Sequence, residues 1–462
     1  MRMAEPPPLE QPISAEAASG SAAAPRTEPG ADMPYRPVAA WCSVGILLVF
    51  SLFSFLDRQI IALLVDPIKA DLGLTDTQLG LLQGLAFALL YAVAGLPIGW
   101  AVDRYPRRII LFAGITIWSL ASASCGLARN FWQMFASRTF VGVGEASMGP
   151  TAVSLISDLF PRDRVATPLG VYSAGFYIGG GVALTVGGWV VSLFAGQATV
   201  DFPVFGQLAP WQAVLIATGL PGLLVGLLAF LIYEPRPADH LRRVRAQPDA
   251  AKLSAFLRER WRIVTIAYGG FGIAAFVSYA ITAWTPTYFI RVFKWTATDV
   301  GWTYGLIVGL SGAFGAFAGG VLMDRLYRRG RTDAYFLVAG IASLIATPLF
   351  AGAYFVPSPV VALAMLSGGL VMFGATSAGS YSTWQKIAPR AVRGRVTATY
   401  ILIGAILGSG FGPLSTALVT DYVMRDPLAV GTSIALISGL SFPLMALLFF
   451  SGLRLMRELP ED

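Results

Sequence analysis

The sequence predicts an all-α membrane protein of twelve transmembrane helices, arranged as two pseudo-symmetric six-helix bundles. Three observations carry that prediction. Of the 462 residues, 55% are hydrophobic and only 13% charged, where a soluble domain carries roughly 25% charged residues. Apolar stretches long enough to span a bilayer recur along almost the whole chain. The two halves also match each other in one register without gaps.

Fifty glycines, 29 phenylalanines and a mean hydropathy of +0.66 suit helices that pack closely inside lipid. A soluble chain of this length would need a polar surface that these residues do not supply. The two cysteines, Cys42 and Cys125, lie in apolar runs and offer neither a disulfide framework nor a metal-ligand spacing. The single histidine, His240, sits in a charged loop, which leaves zinc chemistry and a Ser-His-Asp triad nothing to build on. No cofactor or metal is expected, and an enzyme lacks its nucleophile-base-metal set. The single asparagine, Asn130, is followed by Phe-Trp, so there is no N-glycosylation acceptor. This favours a bacterial inner (plasma) membrane.

Residues 1–37 are rich in Ala, Pro, Glu and Ser. They read as a disordered cytoplasmic tail and not as a signal peptide, because no apolar core precedes Pro37. Apolar stretches then begin near Trp41, Thr77, Ile109, Phe131, Thr167 and Trp211, giving an N-terminal six-helix bundle over 38–233. A second set begins near Ile263, Thr298, Ala334, Pro359, Val396 and Leu428, giving a C-terminal bundle over 263–455 and a tail over 456–462. The cytoplasmic linker, 234–262, holds the densest basic cluster. Leu253, Phe256, Leu257 and Trp261 recur there at helical spacing beside Arg258, Arg260 and Arg262. That pattern fits an amphipathic helix on the inner leaflet or an ordinary positive linker.

Positive charge sets the orientation. With the N-terminus inside, roughly 26 of the Lys and Arg residues fall on the cytoplasmic side. Only Lys69, Arg129, Arg291, Lys294 and Arg425 fall outside, and two stay within the membrane. Both termini are therefore expected in the cytoplasm, and the net charge of +7 is mostly a topology signal. The charges are scattered over many loops, so no nucleic acid partner is expected.

A shift of about 221 residues superposes the halves. Thr77 meets Thr298, Gly80 meets Gly301, Gly84 meets Gly305 and Gly99 meets Gly320. Asp103-Arg104 meets Asp324-Arg325, and Arg107-Arg108 meets Arg328-Arg329. Parallel repeats of this kind occur in transporters that rock about a midplane site. The segment from Gly99 through Asp103-Arg104 to Arg107-Arg108 resembles the loop between helices 2 and 3 of the major facilitator superfamily, with its second copy at Gly320–Arg329. Glycine permits close helix packing, while the Asp can face a neighbouring helix N-terminus and the arginines stay in the cytoplasm. In that family the loop is a gating element that stabilises the outward-facing state; Pro106 stands here where a small residue is usual. Helix 5 carries Gly170, Gly175, Gly179, Gly180 and Gly181, and helix 11 carries Gly404, Gly408, Gly410, Gly412 and Pro413. These let neighbouring backbones touch and slide. A glycine-rich helix 5 is typical of the superfamily's antiporters.

Charge at membrane depth costs at least about 2.5–3.5 kcal/mol per residue and needs a partner or a function. It is confined to Asp57-Arg58 on helix 1 and to Arg138 and Glu145 on helix 4; no acidic residue lies deep in the second half. At 1.5 Å per residue, Asp57 and Arg138 fall at about the same level, and Glu145 about 10 Å deeper than Arg138. Arg138 and Glu145 are seven apart and share a face of helix 4. The expected arrangement is an Asp57–Arg138 ion pair with Glu145 nearer the midplane. With no histidine in a helix, proton coupling falls to a carboxylate, and Glu145 is the candidate because Asp57 has its arginine. A neutralised pair that only fixes helix packing is the structural alternative.

Leu56-Asp57-Arg58, and the run from Arg138 through Gly142 and Gly144 to Glu145-Ala146 followed by Asp158-Leu-Phe-Pro161, resemble the spinster family of that superfamily. The likeness is strongest from about Phe53 to Thr167. It implies lysophospholipid or sphingosine-1-phosphate-like cargo, often with proton coupling, and places Asp57, Arg138 and Glu145 in a central cavity. Ser54-Phe55 stands where Asn-Tyr is usual before the Asp.

A substrate with a charged head and an apolar body suits the asymmetry of the halves. Arg58 or Arg138 can hold an anionic head, with Glu145 beside it, while Tyr279, Trp284, Tyr304, Tyr381 and Trp384 offer polar aromatic surface in the second half. The chain is thus expected to be a secondary active transporter of a lysophospholipid-like molecule. Its partners are membrane lipids, that small amphipathic substrate and protons, and it acts as a monomer. A drug or small organic anion transporter of the same fold is the alternative. A receptor or channel is disfavoured by the duplicated gating loop.

Overall fold

The computed structural model describes residues 36–161, 164–202, 204–234, 250–389 and 392–459. The expected N-terminal tail up to residue 35, His240 with residues 235–249 of the linker, and residues 460–462 lie outside the described residues.

Helix α1 (Pro37–Leu63) opens on a proline, whose missing N–H is no loss in a first turn. A short helix, Val65–Leu72, follows and ends at Gly73 with φ 63°. Helix α2 is two pieces, Asp76–Gln83 and Leu85–Arg104, broken at Gly84. Helix α3 is Arg107–Cys125. Helix α4 is also broken, into Phe131–Glu145 and Met148–Leu159. Helix α5 (Ala166–Phe194) leads into a small antiparallel hairpin, β1 (Val200–Phe202) and β2 (Gly206–Leu208), with Asp201 opposite Gln207. The hairpin is not expected from the sequence; three-residue strands are too short to carry a period. Helix α6 comprises Pro210–Gly219, Pro221–Gly226 and the 3₁₀ turn Leu227–Leu231.

The second half repeats the plan with α7 (Trp261–Phe293), α8 (Ala297–Arg328), α9 (Ala334–Ala353) and α10 (Pro359–Ile387). Helix α11 runs through Arg393–Ile403, a π-helical stretch Gly404–Phe411, Gly412–Leu418 and a second π stretch, Val419–Met424. Helix α12 is Val430–Ser451. Eleven segments of the described residues are long and apolar enough to cross a membrane. The two short pieces of α4 make the twelfth.

The repeat is visible in detail at the starts of α2 and α8. Thr75 and Thr296 close the same capping box: each hydroxyl accepts the N–H three residues on, from Gln78 and Asp299, at 3.1 Å. Each threonine N–H donates back to that residue's side chain at 3.0 Å. The linker's helix forms as Ala250–Glu259. Its Phe256 is buried and Leu253 and Leu257 pack on the same apolar core, so the protein itself covers those three, while Trp261 at the start of α7 is exposed.

An even number of spans puts both ends of the described chain on one side, here the near side. The halves touch towards the far side. Gly181 and Gly188 of α5 meet Gly305, Gly309 and Gly301 of α8, while Gly80 and Gly84 of α2 meet Pro413, Ala417 and Gly410 of α11. A Cβ at Gly80, Gly84, Gly181, Gly188, Gly301 or Gly305 would collide with the opposite helix, so these close approaches need glycine. Towards the near side the expectation of close packing at Gly99 and Gly320 is not met: a Cβ built on either finds nothing within 4 Å. Among the described residues, the glycines that touch across the halves lie in the far parts of their helices, and the loop glycines have no neighbour at Cβ distance in this conformation.

Candidate transport site

The interior charges gather where α1, α2, α3 and α4 meet, and glycine sets the geometry. Gly142 lies against the backbone of α2 at Phe87, and Gly144 lies against α3, where its Cβ would fall 2.6 Å from the Gly114 carbonyl oxygen. The residue after this pair of close approaches is Glu145, at the last turn before α4 breaks. The Gly142-Val-Gly144-Glu145 sequence thus seats the carboxylate between helices.

Glu145 is buried and its Oε2 collects three donors. Ser54 Oγ lies at 2.6 Å, Arg58 Nε at 2.7 Å and Arg58 Nη2 at 2.5 Å. Its Oε1 has no partner among the described residues. Ser54 and Arg58 are four apart on α1 and so share a face. The Arg58 guanidinium also sits 4.3 Å from the Phe87 ring centroid and 5.8 Å from that of Tyr91, both on α2. A cation over aromatic faces is attracted by their quadrupoles. Its Nη1 reaches the Tyr279 hydroxyl of α7 at 3.4 Å, which links the pair to the second half.

The pairing differs from the sequence expectation. Arg138 does lie level with Asp57, but its Nη1 donates to the Asp57 main-chain carbonyl at 3.1 Å and not to the carboxylate. Asp57 Oδ1 accepts from Ser122 Oγ of α3 at 2.7 Å. The interior ion pair is therefore Arg58–Glu145, with Asp57 and Arg138 beside it, both buried. Rise along a helix fixes depth, but rotation about its axis decides which of two successive residues faces a neighbour.

Of the aromatic candidates, Tyr279 is half-buried and contacts Arg58. Trp284 is wholly buried and donates through Nε1 to the Pro413 carbonyl at 2.8 Å, inside the second half. That corrects its assignment as a substrate residue. Tyr304 and Trp384 are likewise core residues, Trp384 packed 4.5 Å from Tyr268. The side chain of Tyr381 lies outside the described residues. Ser54, Ser122 and Tyr91 do not stand out in the sequence; only the four-residue spacing of Ser54 and Arg58 points to the first.

The two copies of the segment expected to gate differ. In the first, Arg107 is buried, bonded through Nη1 to Asp158 at 2.6 Å and Ser154 at 2.9 Å, and paired through Nε with Glu234 at 3.3 Å. Arg108 lies 3.9 Å from Glu234, and Arg104 stacks 4.3 Å from the Trp100 ring. The Asp103 side chain lies outside the described residues. In the second copy Asp324, Arg325, Arg328 and Arg329 are all exposed.

The sequence model described as Major Facilitator Superfamily matches residues 47–413. An "MFS-type efflux pump" of Mycolicibacterium smegmatis is 24% identical over 392 residues, 85% of this chain and 87% of that protein. "Protein spinster" of Drosophila melanogaster is 25% identical over 83% of this chain and 62% of its own length. A "Probable L-galactonate transporter" of Escherichia coli is 27% identical over 82% of this chain and 83% of that protein. Among solved structures, a bacterial homologue of the human lysosomal transporter spinster, inward-facing and unoccupied, superposes with a TM-score of 0.72. It is 23% identical, with 91% of this chain and 97% of that chain covered.

Proposed function

Because this chain belongs to the Major Facilitator Superfamily, and so is a multi-pass membrane transporter, we propose that it moves an amphipathic anion by proton-coupled alternating access. The carrying observation is the Arg58–Glu145 pair, which touches both halves through Tyr279. An anionic head group competes with Glu145 for Arg58, and the aromatic rings beneath the guanidinium suit the apolar neighbour of that head. The likeness to spinster proteins supports a lysophospholipid-like cargo.

With the pairing exchanged, the roles of the carboxylates exchange too. Glu145 has its cation, whereas Asp57 has one hydrogen bond, from Ser122, and no cation within ion-pair distance among the described residues. A buried carboxylate without a counter-ion is costly, and taking up a proton removes that cost. Asp57 is thus the proton carrier and Glu145 the residue that releases Arg58. Arg138, bonded to the main chain of Asp57, senses the same site. The near side is the cytoplasmic side by its excess of positive charge, and the protein resides in a bacterial inner membrane.

The second reading is a small organic anion, favoured by the likeness to the Probable L-galactonate transporter. Proteoliposomes separate the two. Lysophosphatidylglycerol and galactonate are offered separately, with and without an imposed pH gradient. Saturable lysolipid flux that the gradient accelerates supports the proposal. Galactonate flux without lysolipid flux replaces the cargo, and flux indifferent to the gradient removes the coupling.

A further inference from the structure

Asp76 and Thr77 are neighbours at the far-side start of α2, and the opposite half holds each of them. Arg291, near the far end of α7, donates through Nη1 to Asp76 Oδ2 at 2.7 Å and through Nη2 to Asp76 Oδ1 at 2.8 Å. Its Nε reaches Asp66 Oδ1 at 2.9 Å, and Lys69 adds a bond to Asp76 Oδ1 at 2.6 Å. The Asp76 side chain is fully buried and that of Arg291 is 6% exposed. One residue on, the Thr77 N–H and hydroxyl both donate to Asp421 Oδ2 of α11, at 2.6 and 2.7 Å. Successive residues of α2 are thus gripped with opposite polarity, a carboxylate by an arginine and two donors by a carboxylate.

The other copy of the repeat lacks this arrangement. Thr298 also reaches across, but with a single neutral bond from its hydroxyl to the Gly188 carbonyl at 3.1 Å. Ala297 stands where Asp76 stands in the first copy. One inter-half seam is charged and bidentate, and its pseudo-symmetric mate is a close-packed contact of glycines.

We propose that Asp76–Arg291 and Thr77–Asp421 form a far-side latch that breaks once in each transport cycle. The inference rests on the alternating-access reading above. A buried ion pair suits a contact that must open and re-form, because its Coulomb gain is largely offset by lost hydration and opening into water costs little net free energy. Removing one partner deletes the bonds that cross the seam, leaving Asp76 only Lys69 of its own half or Thr77 without its acceptor, and so favours the open arrangement.

The test reads conformation and needs no cargo. Spin labels go on Trp132→Cys and Phe355→Cys, two exposed far-side positions on opposite halves, in a Cys42→Ser/Cys125→Ala background. Inter-label distances are measured by double electron–electron resonance in lipid nanodiscs. Arg291→Gln and, separately, Asp421→Asn are expected to shift the distribution to longer separations. Thr298→Val, in the other copy of the repeat, should leave it unchanged. Thr77→Val deletes one donor of the Asp421 clasp with little change in volume, so it serves as the mild variant should the charge variants misfold. Distributions indistinguishable from the parent in Asp421→Asn and Thr77→Val overturn the latch, even if transport is found. A shift in either supports it, even if no cargo has been identified.

Discussion

Arg58 and Glu145 are joined by a 2.5 Å ion pair between α1 and α4, and the same guanidinium touches Tyr279 of α7. A change of charge at one carboxylate is therefore felt at the boundary between the halves. Asp57 is the residue before Arg58 on α1, but its carboxylate turns to Ser122 on α3. Two adjacent positions on one helix thus serve different neighbours.

That division predicts different phenotypes for two conservative changes. Asp57→Asn keeps an acceptor for Ser122 but cannot take a proton, so it should abolish uptake driven by a pH gradient while leaving counterflow exchange intact. Glu145→Gln removes the counter-ion of Arg58 and should change substrate affinity in exchange assays. With Tyr279→Phe the loss is one long hydrogen bond, about 0.5–1.5 kcal/mol, a weakening of roughly 2- to 10-fold. Gradient-driven uptake by Asp57→Asn at the parental rate would sink the assignment.

Much of this site was legible because charge at membrane depth is conspicuous. Asp57, Arg58, Arg138 and Glu145 stand out against twelve apolar stretches, and the 1.5 Å rise placed Asp57 level with Arg138, as the 3.1 Å bond between them shows. The pairing was not legible. Successive residues differ by about 100° around a helix, and which direction faces which neighbour depends on packing that glycines such as Gly142 and Gly144 decide. Aromatic residues carried no usable signal, since Trp284 in the core and Tyr279 beside Arg58 look alike in sequence. The far-side seam shows the same limit. The Thr77–Thr298 correspondence could be read directly, but the partner Asp421 lies 344 residues away from Thr77.

The two copies of the Gly-Asp-Arg segment predict unequal costs. Arg107 is buried between Asp158 and Glu234, so Arg107→Ala removes the buried cation that both carboxylates share and should destabilise by about 3–5 kcal/mol. Arg328, its repeat partner, is exposed, and Arg328→Ala should fall within about 0.5 kcal/mol of the parent. Thermal unfolding in detergent distinguishes them. Equal melting temperatures would mean that the buried pair contributes nothing.

Asp333, just before α9, accepts from Arg457 at 2.7 and 2.9 Å and from Arg331 at 3.2 Å. Burial pushes its carboxyl up, but the two guanidiniums outweigh burial and hold it below the usual carboxylate range. Its contribution to stability is therefore complete above the unfolded value of about 3.9 and is lost only as pH falls through the lower folded value. Both arginines are largely exposed, so water screens the two pairs and each adds little to stability. Asp333→Asn should lower the melting temperature equally at pH 7 and pH 6, with the gap closing only in strong acid. A gap that closes between pH 7 and 6 would contradict this.

Gly84 and Gly99 separate packing in this conformation from packing in the opposite one. At Gly84, where α2 breaks, a Cβ would fall 2.6 Å from the Gly410 carbonyl oxygen and 2.8 Å from that of Ser409, both on the π-helical stretch of α11. Backbone oxygens cannot swing aside as a side chain does, so Gly84→Ala should prise α2 from α11 and destabilise by about 1–3 kcal/mol. At Gly99 the space is open, and alanine there should be neutral or slightly stabilising through helix propensity. Under the alternating access proposed above, the near-side ends close on each other in the other half of the cycle, and Gly99 is the position expected to meet a neighbour then. Gly99→Ala should accordingly melt like the parent and yet transport more slowly, whereas Gly84→Ala should melt earlier. Melting curves in detergent, read beside counterflow rates in proteoliposomes, decide the matter, and a Gly99→Ala protein with parental transport would leave that glycine without a role in closure.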